Sequence, residues 1–202
     1  MKPTIICRII NKKGNEELLK NVPHREFLDL VVTYHICTEI CPERIDSIAI
    51  TNSIADKMRL TEEELFFLAL NGTRKLMPFT IESIEKTLKN SPSCEVDIAP
   101  LLFSVPDEEM PRVITTPQRA YGATVLLYAD ILKKLADELD DNLYMVPSSI
   151  HEIIVHAVSY NSLPFLKSVI LELNQTEVSA DEFLSNNVYY FDRTTNTITI
   201  CE

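Results

Sequence analysis

The 202-residue chain predicts an α+β fold, with mixed or antiparallel sheets and helices on one face, as a single domain or two small lobes. Three observations carry this. Short runs dense in β-branched residues alternate with capped segments whose apolar side chains recur at helical spacing. Hydrophobic residues make up 46% and charged residues 24%, the ordinary globular balance. A stretch holding Pro92, Pro100, Pro106 and Pro111 divides the chain into residues 1–90 and 112–202, with 91–111 as the expected linker.

Residues 4–10 read as a strand from their β-branched density, and residues 27–36, with Val31, Val32 and Tyr34, read as another. A short polar helix at 16–20 links them. A third strand covers 45–50, and Thr51-Asn52-Ser53 supplies turn chemistry after it. Thr61 and Glu64 form a capping box, in which the hydroxyl accepts an orphan amide and the carboxylate reaches back to the cap. A helix is expected over 62–71, closed by Gly72 in a left-handed conformation, and Thr80 is placed to cap a second helix carrying Ile81, Ile84 and Leu88.

In the second half, 112–115 reads as a short strand and the apolar run 121–128 as a buried one. Ile131, Leu132, Leu135, Ala136 and Leu139 define an amphipathic helix. Apolar runs at 143–146 and 150–158 flank Pro147-Ser148-Ser149, residues 163–173 are again amphipathic, and Ser179 with Glu182 offers a second capping box. Residues 188–191 and 197–200 read as a closing β-hairpin. The order from Tyr121 onward is compatible with a split βαβ arrangement.

Composition excludes more than it identifies. With only Gly14, Gly72 and Gly122, the chain has no glycine-rich loop for phosphate, and no nucleotide cofactor is expected. The net charge of −11 resides beyond residue 60, where 10 basic side chains face 22 acidic ones. That sign disfavours nucleic acid and suits a basic protein partner. No apolar stretch approaches the roughly 20 residues that cross a bilayer, and the N-terminus lacks the form of an export signal, so a cytoplasmic location is expected. Cys7, Cys37, Cys41, Cys94 and Cys201 show no paired metal or disulfide spacing and read as reduced thiols.

The most conspicuous polar cluster is Ser148, Ser149, His151 and Glu152, which places hydroxyl, imidazole and carboxylate where a loop should leave a sheet. A hydrolytic triad needs its base within hydrogen-bond reach of the nucleophile and an acid on the base's far nitrogen. If residues from 150 onward are extended, His151 and Glu152 point to opposite faces and cannot serve each other, so a partner carboxylate would come from elsewhere. His24 and Arg25 form a second candidate contact at the entry to a strand. His35 and Cys37, with Cys41 or Cys94, contain metal-ligating types, but the second ligand pair of a zinc site is missing, and no metal is expected. His156, within an apolar stretch, reads as a partly buried histidine with a satisfied hydrogen bond. The carboxylates Asp107-Glu108-Glu109 and Asp140-Asp141 read as solvated loop charges.

Four segments, 21–30, 61–65, 121–123 and Val146-Pro147-Ser148-Ser149-Ile150-His151-Glu152, resemble an uncharacterised family of bacterial domains of unknown function, found in clostridia and their mobile elements. The resemblance spans about residues 6–200 and implies no catalytic residue. The leading expectation is a non-enzymatic protein-binding or regulatory module of a bacterial or mobile-element system, including defence or counter-defence. The alternative is a hydrolase or small-ligand-binding protein with a site at Ser148–Glu152. Nucleic-acid mimicry by the acidic second half is a third reading.

Overall fold

A computed structural model describes residues 4–42, 44–89 and 109–202. It is an α+β structure with two antiparallel sheets. The first sheet contains β1 (Ile5–Asn11), β2 (His24–Phe27), β3 (Leu30–Ile40) and β4 (Ile45–Ala49). β3 is long enough to pair with β1 along one edge, and with β2 and then β4 along the other. The single strand expected over 27–36 is therefore a hairpin. Its turn places Leu28 at φ 55° and Asp29 between paired Phe27 and Leu30.

Helix α1 (Glu16–Leu19) connects β1 to β2, and α2 (Asn52–Met58) follows β4. Thr51 is the cap of α2, since its hydroxyl accepts the Ile54 amide, and not part of a loop. The capping box of Thr61 and Glu64 starts α3 (Glu62–Leu76) as read, but the helix continues through Gly72. The reason is a close approach: a Cβ on Gly72 would lie 1.9 Å from the Ile5 carbonyl oxygen of β1. One residue further on, the Thr73 hydroxyl accepts the free amide of Cys7, which covers the open edge of β1.

The second sheet runs β10-β9-β7-β8-β6-β5. Its strands are β5 (Thr80–Ser83), β6 (Arg112–Thr115), β7 (Leu143–Ser149), β8 (Glu152–Ala157), β9 (Tyr189–Asp192) and β10 (Thr197–Ile200). Every pairing is antiparallel, and the split βαβ arrangement is present: β8 lies between β6 and β7, β7 lies between β8 and β9, and a helix makes each crossover, with β6 as the first strand in place of the one expected at 121–128. Thr80 opens β5, and α4 (Ile84–Lys89) begins only afterwards. The apolar run after Tyr121 is a 3-10 coil, Gly122–Leu127, leading into α5 (Ala129–Glu138). Its residues 122–126 are all buried, which removes the alternation that separates strand from helix. Helix α6 (Leu163–Thr176) follows β8, and the C-terminal hairpin β9–β10 forms as read. Ser179 and Glu182 start no α-helix; residues 179–183 make a single hydrogen-bonded turn. Most of the 91–111 stretch lies outside the described residues.

The main core joins Cys7, Ile9, Val32 and Tyr34 of the first sheet to Leu65 and Ala69 of α3. It continues through Val125, Leu132 and Leu135 to Met145, Val155, Tyr189 and Phe191 of the second sheet. On the far face of that sheet, Leu166 and Ile170 of α6 cover Val113, Val146, Ile154 and Val188. Burial on both faces explains why β7 and β8 read as continuous apolar runs. No helix among the described residues is long and apolar enough to cross a membrane.

Candidate functional site

Pro147 and Ser148 sit inside β7, at a bulge where they oppose the single residue Ile153 of β8. Proline is tolerated there because the ladder is already broken. The turn is therefore Ile150-His151, between paired Ser149 and Glu152, and His151 is a turn residue and not the start of a strand. The segment around Glu182 is zipped against it: the Ile150 amide donates to the Glu182 carbonyl at 3.0 Å, and Ser149 bridges Phe183.

Three groups hold His151 through its backbone. Its amide donates to Ser149 Oγ at 3.1 Å, while its carbonyl accepts the Thr115 hydroxyl at 2.8 Å and the Gly122 amide at 3.0 Å. Gly122 is required here, since a Cβ would come within 2.4 Å of that carbonyl oxygen. Both ring nitrogens are occupied as well. Nδ1 accepts the Tyr121 amide at 3.4 Å, which leaves the proton on Nε2 to donate to Glu182 Oε1 at 3.2 Å. The Tyr121 ring lies 5.7 Å from the imidazole, and the Arg8 guanidinium is 3.8 Å from the Tyr121 ring centroid.

This geometry assigns the predicted residues different duties. The structure supplies His151 with a carboxylate, Glu182, but among the described residues it brings no hydroxyl to the other ring nitrogen. Ser149 Oγ faces the His151 backbone instead. Ser148, Ser149, Glu152 and Glu182 do converge elsewhere, on a cleft of about 160 Å3 completed by Ile154, Leu173, Glu177 and Val178. Burial pushes the Glu152 carboxyl pKa up, against the nearby Arg119 charge. In the sequence Glu182 carried only a helix-start signal, and nothing local connected it to His151.

His24 and Arg25 lie far along the chain from this cleft, in β2. His24 is exposed, and its Nδ1 donates to the Val22 carbonyl at 2.9 Å. Arg25 grips Glu62 at the start of α3 with two bonds, 3.0 and 2.8 Å, and its guanidinium stacks 4.0 Å from the Phe66 ring centroid. The Tyr34 hydroxyl donates to the same carboxylate. Arg25 thus fastens the first sheet to α3.

His35 and His156 are buried, each with an Nδ1 that finds no partner among the described residues. Burial, aided by the nearby Arg8 charge, pushes the His35 pKa down to about 3; burial alone pushes that of His156 down to about 4. Cys37 donates weakly to the Glu39 carbonyl, and Cys94 lies outside the described residues. Among the described residues no group of three His, Cys, Asp or Glu side chains is placed to hold a metal ion.

A second concavity, which sequence reasoning missed, opens between the start of β1, the end of α2 and one face of α3. It measures about 590 Å3 and is lined by Thr4, Ile5, Met58, Leu60, Leu68, Asn71, Gly72 and Lys75. The last four share the i, i+3, i+4, i+7 face of α3. That spacing was in the sequence, but its continuation past Gly72 was not read as helix.

No curated protein and no solved structure matches the chain. A family model covers residues 1–193, nearly the whole length, and the chain accordingly belongs to the family of unknown function DUF5688.

Proposed function

We propose that the chain is a non-enzymatic protein-binding module, serving a regulatory, defence or counter-defence system of a bacterium or its mobile elements. The observation that carries this reading is the open apolar groove on α3. Leu68 is 47% exposed within it, and Phe67, 57% exposed, stands beside it on the same helix. Burying a large apolar side chain contributes about 1.5–3 kcal/mol, so such a groove favours a partner that brings its own apolar stripe. Among the described residues its only ionisable lining residue is Lys75, which suits an amphipathic helix with a carboxylate at its edge and offers no acid–base pair for catalysis. The occupied ring nitrogens of His151 support the same choice over the hydrolase alternative.

The test is affinity capture of the tagged chain from its native cells, comparing Leu68→Asp and His151→Ala with the parent. A stoichiometric protein partner, lost from Leu68→Asp and retained by His151→Ala, is the expected result. Retention of that partner by Leu68→Asp, or no stoichiometric partner at all, overturns the reading. A small molecule lost only from His151→Ala restores the alternative at Ser148–Glu152.

A further inference from the structure

We propose that the cleft beneath the β7–β8 turn binds a primary ammonium group at the end of an aliphatic chain, as on a lysine side chain or an alkyl diamine. This site is separate from the groove on α3 and does not rest on it. Its lining combines two chemistries. Ile154, Leu173 and Val178 supply apolar surface, while Glu152, Glu177 and Glu182 supply carboxylates, alongside Ser148 and Ser149. An alkylammonium ion divides its own surface in the same way, with an apolar stem and a three-donor head.

Two side chains that line the cleft make no hydrogen bond to any described residue, and their polar atoms stay accessible from it. Ser148 is only 6% exposed, and its hydroxyl makes no hydrogen bond to any described residue. Glu152 is half-buried and likewise makes no hydrogen bond or ion pair, since Arg119 pairs with Glu82 and His151 with Glu182. A hydroxyl oxygen and a carboxylate left open on a cleft wall are free to accept hydrogen bonds from a ligand. An ammonium head donates to both at once, to the Glu152 carboxylate and the Ser148 oxygen.

Size and charge narrow the ligand. A volume of about 160 Å3 falls well below the roughly 300–1,000 Å3 of sites for drug-sized molecules, so only a small group or a single side chain enters. The carboxylates do not gather tightly enough for a metal ion, which needs several oxygens within about 2.6 Å of one point. The surplus of acidic over basic residues beyond residue 60 draws cations toward the cleft.

The test is amide NMR of the isotopically labelled full chain titrated with butylammonium, and with n-butanol as a neutral isostere. Saturable shifts confined to residues 148–152 and 173–182 with butylammonium, and none with butanol, are expected. Glu152→Gln, which removes only the charge and leaves the shape, should weaken binding at least tenfold. Equal shifts with butanol, no saturation up to tens of millimolar, or undiminished binding by Glu152→Gln would each overturn the proposal. Two further titrations identify the source once binding is seen. Saturation by Nα-acetyl-lysine methylamide but not its Nε-acetyl form assigns the site to a protein lysine, and saturation by 1,5-diaminopentane alone assigns it to a free amine. Leu68→Asp should leave every titration unchanged, so failure here is distinguishable from failure of the groove reading.

Discussion

At the scale of single residues, the interior has been closed around two imidazoles that must stay neutral. His35 and His156 are 8% and 7% exposed, and their folded pKa values, about 3 and about 4, lie below the 6.5 of an exposed histidine. Between those limits the unfolded chain binds protons that the folded chain refuses. The stability due to neutral histidine is thus complete above pH 6.5 and is lost as the pH falls toward the folded values. Each group contributes a slope of up to about 1.36 kcal/mol per pH unit, so the pair predicts a fall on the order of 4 kcal/mol from pH 7 to pH 5. Glu152, whose pKa burial raises, gains folded-state stability as pH falls and so opposes this. Urea unfolding at the two pH values checks the sum. His156→Gln should remove about half of the fall, and an equal fall in the variant would assign it to other groups.

At the scale of elements, what could be read in the sequence is what is determined within a few residues. The start of α3 is an example: the Glu64 amide donates to the Thr61 hydroxyl at 3.2 Å, and the Thr61 amide donates to Glu64 Oε2 at 2.8 Å. Thr61→Ala removes the first bond and should destabilise the chain by about 1 kcal/mol, measured as a lower urea midpoint at unchanged slope. The other end of the same helix was not legible. Gly72 resembles a stop signal, yet its use is to let α3 approach the Ile5 carbonyl, a contact made 67 residues away. Gly122 serves the same purpose against His151, and the left-handed Tyr121 beside it, at φ 57°, turns the chain into a 3-10 coil where the apolar run resembled a strand. The Ser148–Glu152 cluster was visible as a loop with polar side chains. Its cleft was not, because Leu173, Glu177 and Glu182 arrive from α6 and the turn after it.

At the scale of the whole molecule, the two sheets are fastened by a carboxylate in a turn. Asp29, beside the left-handed Leu28, accepts hydrogen bonds from the Ser185 hydroxyl, the Asn187 side-chain amide and the Tyr189 hydroxyl, more than 150 residues away. Nearby, the Asn11 side chain donates to the Leu184 carbonyl at 2.7 Å. Burial, reinforced by the Asp29 contact, raises the Tyr189 phenol pKa, so its proton remains available to donate. Asp29→Ala strands those donors at the junction, and a hydrogen bond to a charged acceptor contributes about 1.5–3 kcal/mol. A loss of about 3 kcal/mol, or roughly 6–12 °C in Tm for a chain of this length, is expected. Because one buried cluster includes side chains of both sheets, the variant should still unfold in a single transition, with equal calorimetric and van't Hoff enthalpies. Asp29→Asn, which keeps the shape and one acceptor, should fall between the two. If Asp29→Ala instead splits the transition, the carboxylate rather than the shared apolar core is what makes the sheets fold together.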